Sequence, residues 1–371
     1  MHPFFLENEA TMLNQLKTVV EMETPTSEKI SVDKLGLYFQ KLLLDLGGKV
    51  DVYNNESTGN HILATFGSGP KTILLLHHMD TVFPLGTIAD MPYRQDDEKT
   101  YGPGVLDMKG GIIISYFALS FLLKSGQLNN KVQFLISSDE EAGSQTSEQL
   151  IVDLAKNADL VLVLESGLVN GALKNWRKGV GDYTLEVFGR AAHAGGAHQE
   201  GINAIEEMAH QIGRIQNMTN YDLGTTLNVG TIHGGTVPNV VPEYCKVEID
   251  FRVLRTDEAE RVDLALRSLK PVLAGTEIVI SGALNRPPMP FNEIMEKTFL
   301  KAQQIARTIG VELIPGGSGG GSDGNFIAPL GIPLLDGMGA YGEGLHSNRE
   351  YIYTKSISER AELVAAIIQH W

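Results

Sequence analysis

The chain predicts a mostly parallel α/β domain interrupted by an inserted ferredoxin-like α+β domain. Three observations carry this. In the first half, short apolar runs alternate with a helical pattern: Thr72–Leu76, Gly111–Lys124, Val132–Ile136 and Leu160–Leu164. Alternation of strand and helix gives a parallel sheet covered by helices. From about Trp176 the texture changes to β-α-β-β-α-β, the order of a split ferredoxin-like unit. A length of 371 residues also exceeds what one ordinary core supports.

Within the inserted stretch, Gly181–Phe188 alternates like a half-exposed strand, and Asn203–Ile215 has helical spacing. Leu227–Ile232 and Cys245–Arg252 read as strands, Asp257–Leu273 as a helix and Glu277–Gly282 as a last strand. The breaker run Arg286-Pro287-Pro288-Met289-Pro290 closes the unit. The expected division is 1–177 and 288–371 for the outer domain and 178–287 for the insert.

A 43% hydrophobic and 20% charged composition describes a soluble globular chain. Net charge −15 argues against nucleic acid or anionic membrane as a partner, since both demand basic patches. The single Cys245 can form no intrachain disulfide, which fits a reducing cytoplasm. The N-terminal MHPFFLENEATMLNQL lacks the features of a signal peptide. The apolar run IIISYFALSFLL is too short to span a membrane and reads as a buried helix.

Each predicted strand of the first half runs into polar residues: His78 and Asp80, then Ser138-Asp139-Glu140-Glu141, then Glu165. In open α/β sheets, ligands bind beyond the carboxyl ends of the strands. Three consecutive carboxylates repel one another, so a cation is expected to offset them. Hard carboxylate oxygens together with imidazole suit zinc and similar divalent ions. Taken singly, the features have blander readings: a solvated acidic turn for the triplet, a turn residue for His78, an N-cap for Asp107. Glu165 is harder to dismiss, because a buried strand seldom ends in an unpaired carboxylate. His346 adds a second imidazole in a small-residue loop.

The run Gly316–Asn325, GGSGGGSDGN, is not a phosphate-binding P-loop. It satisfies Gly-x-Ser-x-Gly at Ser318 and Ser322, with Asp336 and His346 following in the order of a serine hydrolase. That set is compressed into one short stretch, whereas triad members of that fold come from separate βα units. It also leaves His78, Asp107, Glu140, Glu141 and Glu165 without a role.

In order along the chain stand LLLHHMDTV, YGPGVLDMKGG, SSDEEAGS, LVLESG, AAHAGGAHQEGINAI, VPNVVPEYCKVEIDFR, GGGSDGNF and GEGLHSNREY. Together they resemble the co-catalytic zinc family of glutamate carboxypeptidase, acetylornithine deacetylase, succinyl-diaminopimelate desuccinylase and peptidase T, over essentially the whole chain. The resemblance implies two zinc ions, replaceable by cobalt or manganese, bridged by Asp107. His78 and Glu165 would complete one ion's shell, and Glu141 and His346 the other's. Asp80 would orient His78, and Glu140 matches the general base. His193 matches a histidine that reaches the partner subunit's site in dimeric relatives, which implies a homodimer through the insert. Asn239, Arg252 and Arg286 match substrate-holding residues of the glutamate carboxypeptidase branch, and the loop around Gly320 would offer N–H groups to a substrate carboxylate. A cis peptide at Asp107–Met108 is implied as well. The expected activity is release of a C-terminal glutamate or similar residue from a small peptide, with N-acyl-amino-acid deacylation as the alternative.

Overall fold

The computed structural model describes residues 1–371 and divides into two compact units. One comprises Met1–Trp176, Phe291–Gly317 and Ser322–Trp371; the other comprises Arg177–Pro290 with Ser318–Gly321.

In chain order the first unit places α1 (Pro3–Val20), α2 (Lys29–Asp45), β1 (Lys49–Tyr53), β2 (His61–Phe66), β3 (Thr72–His78), α3 (Gly110–Lys124), β4 (Lys131–Ser137) and β5 (Leu160–Val163). The insert holds β6 (Gly179–Phe188), α4 (Ala204–Gln216), β7 (Thr226–Gly234), β8 (Tyr244–Val253), α5 (Thr256–Arg267) and β9 (Glu277–Arg286). The chain then returns through α6 (Glu293–Thr308), β10 (Leu334–Asp336) and α7 (Ser356–His370).

The large sheet has the order β1-β2-β4-β3-β5-β10. β3 pairs in parallel with β4 and β5, and β10 in parallel with β5. β1 and β2 add an antiparallel arm that the apolar pattern does not foretell. The central strands are apolar on both faces: Ile73, Leu74, Leu75, Val132, Phe134, Leu160 and Val161 are all fully buried. Such two-faced burial is what a helix-covered parallel sheet requires. The apolar stretch Val105–Lys124 is long enough by length and composition to cross a membrane, yet 89% of its window lies buried inside the fold. It is the helix that packs against α1 and α7 in the core.

The parallel register positions the site. His78 stands opposite Ser137, just before the acidic triplet, and Leu76 stands opposite Val163, just before Glu165. Three strand ends therefore deliver their polar residues to one edge of the sheet. α3 approaches that edge closely, because a Cβ on Gly111 would lie 2.2 Å from the Leu164 carbonyl oxygen.

The insert is an antiparallel sheet of order β7-β8-β6-β9. It has its own core of Tyr183, Leu185, Val187, Met208, Val247, Phe251 and Val262. This is the ferredoxin-like arrangement that the β-α-β-β-α-β order predicts. The helix expected to reach Leu273 stops at Arg267. Pro271 explains the early end, since proline and the residue before it both resist the helical conformation.

Candidate metal centre

His78, at the end of β3, is 1% exposed. Its Nε2 lies 3.1 Å from Asp107 Oδ1 and 3.4 Å from Glu165 Oε1. Its Nδ1 lies 3.0 Å from the Asp80 carbonyl oxygen and 3.4 Å from Asp80 Oδ1, which orients the ring. His77 is turned the other way, onto Leu135 O and Ser115 Oγ, and takes no part.

Asp107 does not cap a helix. Its backbone departs from helical geometry at φ −121° and ψ 94°, and the cap position of the helix that follows is Lys109. Oδ1 faces His78, while Oδ2 lies 3.2 Å from Nε2 of His346. That imidazole is also 3.4 Å from Glu141 Oε2. One carboxylate therefore presents its two oxygens to two different imidazoles, each within reach of a further carboxylate. Potential ligand atoms of His78, Asp107 and Glu165 lie within 4.8 Å of one another, as do those of Asp107, Glu141 and His346. An atom pair of Glu140 and Glu141 makes a third such group with His78.

Asp80 organises this edge from behind. Its carboxylate accepts hydrogen bonds from Thr26 Oγ1 at 2.7 Å, Glu140 N at 3.3 Å and Glu141 N at 3.1 Å. The Asp107–Met108 peptide is cis, as the family resemblance implies. Met108 turns inward, and its sulfur accepts the His78 N–H at 3.2 Å.

The electrostatics follow from crowding carboxylates at an edge that is buried around His78 and Asp107 and opens to solvent at His346. Burial opposes charge on His78, but Asp107, Asp80 and Glu165 outweigh it and hold its pKa well above the usual histidine value. Burial would raise Asp107, yet His346 and His78 keep it far below the usual carboxylate range. Contact with Asp107 and Glu141 pushes His346 up to about 11. Burial, and then the charge of Asp107, push Glu141 up to about 7. Glu141 Oε1 is buried and has no hydrogen-bond partner. Five carboxylates (Asp80, Asp107, Glu140, Glu141, Glu165) thus face two imidazoles, an excess of negative charge that burial makes costly unless a cation offsets it.

The donor set fits a zinc-like ion. Bonds of about 2.0–2.1 Å in a tetrahedron separate neighbouring ligand atoms by about 3.3 Å, and the contacts around His78 and His346 run from 3.1 to 3.4 Å. A serine-hydrolase triad does not form. Ser322 Oγ donates to Asp336 Oδ2 at 2.7 Å inside the core, and His346 engages Asp107 instead.

The remaining predicted residues lie in the second unit. His193 is exposed, and its Nδ1 accepts the N–H groups of Gly195 and Gly196 at 3.1 and 3.0 Å. Asn239 neighbours it, its carbonyl accepting from Ala194 N at 3.0 Å. Arg252 forms a fork with Asp250, with contacts of 2.8–3.1 Å. Arg286 is 6% exposed and donates from Nη1 to Asn285 Oδ1 at 2.8 Å. Gly320 N donates to Ser318 Oγ at 3.0 Å, and Gly320 O accepts from Arg177 Nη1 at 3.2 Å.

Two buried groups lie inside the quoted motifs, yet the sequence assigns them no role. Glu350 accepts backbone N–H groups of the Asp107 loop, and burial followed by the charge of Asp107 pushes it up to about 8. Lys109 is 1% exposed and donates to Met22 O at 2.8 Å; burial brings it down to about 7, against the pull of Glu350. A lone glutamate after a glycine-rich loop gives no signal until the two loops are seen together.

The chain is similar to several known proteins. The family model for a peptidase dimerisation domain matches residues 175–269. Carboxypeptidase G2 of Pseudomonas sp. (strain RS-16) is 28% identical over 374 residues, covering 98% of this chain and 89% of the relative. Acetylornithine deacetylase of Salmonella arizonae is 27% identical over 353 residues, covering 88% of each. Among solved structures, aminopeptidase PepT of Bacillus cereus superposes with a TM-score of 0.77 at 25% identity, over 98% of both chains.

Proposed function

We propose that the chain is an M20-type peptidase, as its likeness to members of that family supports, and that it is a dinuclear zinc carboxypeptidase releasing a C-terminal glutamate or similar amino acid from a small peptide. The observation that carries the metal part is the Asp107 carboxylate, whose oxygens face His78 and His346 separately at 3.1 and 3.2 Å. His78 and Glu165 would hold one ion and Glu141 and His346 the other, with Asp107 shared. Cobalt or manganese could substitute, manganese being the weakest binder of the first-row divalent series. When bound, such ions polarise a carbonyl and make a coordinated water acidic near neutral pH.

The protein's own groups supply the remaining chemistry. Glu140 lies at the rim of the group, its backbone N–H fixed by Asp80. Its carboxylate takes the proton of the attacking water and returns it to the departing amide nitrogen. His193 keeps its ring proton on Nε2, because Nδ1 accepts two backbone N–H groups. It is thereby set as a donor toward a developing oxyanion, in the partner subunit's site if the insert mediates a homodimer. Asn239, Arg252, Arg286 and Gly320 are assigned to substrate carbonyl and carboxylate recognition, for which a guanidinium fork is well suited.

The likeness to carboxypeptidase G2 supports the carboxypeptidase reading. The deacetylase relative supports the alternative, an N-acyl-amino-acid deacylase using the same centre. Rates on a panel of peptidyl glutamates, other short peptides and N-acyl amino acids decide between them. The expected result is a highest kcat/KM for a glutamyl amide, lost after dialysis against a chelator and restored by zinc. Inactivity on every glutamyl amide removes the favoured substrate, and activity untouched by the chelator removes the metal.

A further inference from the structure

We propose that Glu350 is a positioning residue for the metal centre. Its carboxylate sets the direction in which Asp107 presents its two oxygens, and so governs both metal positions at once. The inference rests on the dinuclear reading given above.

The geometry begins with a backbone problem. Between Gly104 and Gly110 the chain leaves helical geometry at Asp107 and at Met108, φ −129° and ψ 35°, just before α3 begins. The N–H groups there cannot all find acceptors one turn back, and a buried N–H without an acceptor is costly. Glu350 supplies the acceptor. Its Oε2 takes Gly104 N at 3.0 Å, and its Oε1 takes Leu106 N at 2.7 Å and Asp107 N at 3.0 Å. The side chain is 0% exposed, so no water competes for those donors.

Glu350 belongs to none of the ligand groups, so its part is not coordination. It nevertheless joins two loops that coordinate. Strand Tyr351–Tyr353, which follows it directly, pairs antiparallel with Lys99–Tyr101, which precedes the Asp107 loop, and Tyr351 lies opposite Tyr101. His346 belongs to the same return of the chain, between the paired residues Gly342–Glu343 and Tyr351–Ile352. A single carboxylate thus clamps the Asp107 backbone onto the segment that carries His346. Asp107 is the residue that the His78–Glu165 group shares with the His346–Glu141 group. A tilt of its carboxylate would loosen both.

That shared position separates positioning from coordination. Removing His346 should weaken one metal only; releasing Asp107 should weaken two together. The experiment titrates zinc against a competing chelator for wild type, Glu350→Gln, Glu350→Ala and His346→Ala, with thermal melting of each metal-free protein. Glu350→Gln keeps the shape but turns an amide donor toward N–H groups. Wild type should take up two zinc ions, and His346→Ala should lose tight binding of one. Glu350→Gln should bind both about 10–100-fold more weakly, the usual cost of removing a group that orients a ligand. The proposal is overturned if Glu350→Gln binds both ions within about twofold of wild type, or weakens one alone, given that typical cost. Loss of the fold in both Glu350 variants would also overturn it, leaving the residue a role in stability only. A wild type that takes up no zinc would remove the dinuclear reading, and this proposal with it.

Discussion

At the scale of single residues, the site is a set of side chains with divided tasks, and substitution should separate them. Glu140 is assigned to proton transfer and not to holding metal. Glu140→Ala is therefore expected to keep both zinc ions in a metal assay while turnover falls by about 10²–10⁴-fold, the ordinary contribution of a positioned acid–base group. Unchanged turnover would take the proton-transfer role from Glu140. Most of this cluster is legible in the amino-acid sequence, because His78, Glu140, Glu141 and Glu165 each terminate an apolar run. A parallel sheet brings such termini to one edge. Asp107 is legible as a residue but ambiguous in role, since a carboxylate before an apolar helix is as often a cap; only its contacts with two imidazoles decide. Glu350 is not legible, because its meaning lies in backbone N–H groups from a distant part of the chain.

At the scale of elements, the insert offers a clear case of a helix holding a loop. Glu207 of α4 is fully buried and accepts Val272 N at 2.9 Å, Leu273 N at 2.6 Å and Thr276 Oγ1 at 3.2 Å. Those bonds fix the irregular segment that follows α5. Burial alone would raise the carboxyl, but the hydrogen bonds, led by Leu273, hold its pKa below the usual value. The sign follows from linkage: a carboxyl depressed in the fold adds stability above its unfolded pKa of about 4.3, and that contribution is lost as pH falls through the folded value. Glu207→Ala should lower unfolding free energy by about 1.5–3 kcal/mol near neutral pH, as loss of hydrogen bonds to a charged group does. The gap from wild type, read from urea denaturation, should close as pH falls below about 4. A gap that stays constant with pH would mean the charge is irrelevant. The segment after α5 misleads in sequence because helical periodicity in Asp257–Leu273 outweighs a single proline. The antiparallel arm of β1 and β2 stays hidden because nothing in an apolar run declares its direction.

At the scale of the whole molecule, the insert presents β7 as an outer strand of its sheet, with exposed residues from Gly230 to Gly234 along it. An outer strand offers unpaired backbone groups to a second chain. With the match to a peptidase dimerisation domain, a homodimer is the expected state in sedimentation experiments. A monomer with full activity would exclude any action of His193 across subunits. Finally, the first unit is split in sequence: α7 packs on α1 and α3, and His346 lies far beyond the insert. During synthesis, the nascent chain therefore exposes a half-built sheet while the insert, nearly continuous, can already condense at the ribosome. The apolar strands β3 to β5 must wait, partly uncovered, for α7 to emerge. Chaperone dependence should concentrate in that interval, and on the proposed dinuclear reading the second ion could be held only after the His346 loop has left the exit tunnel.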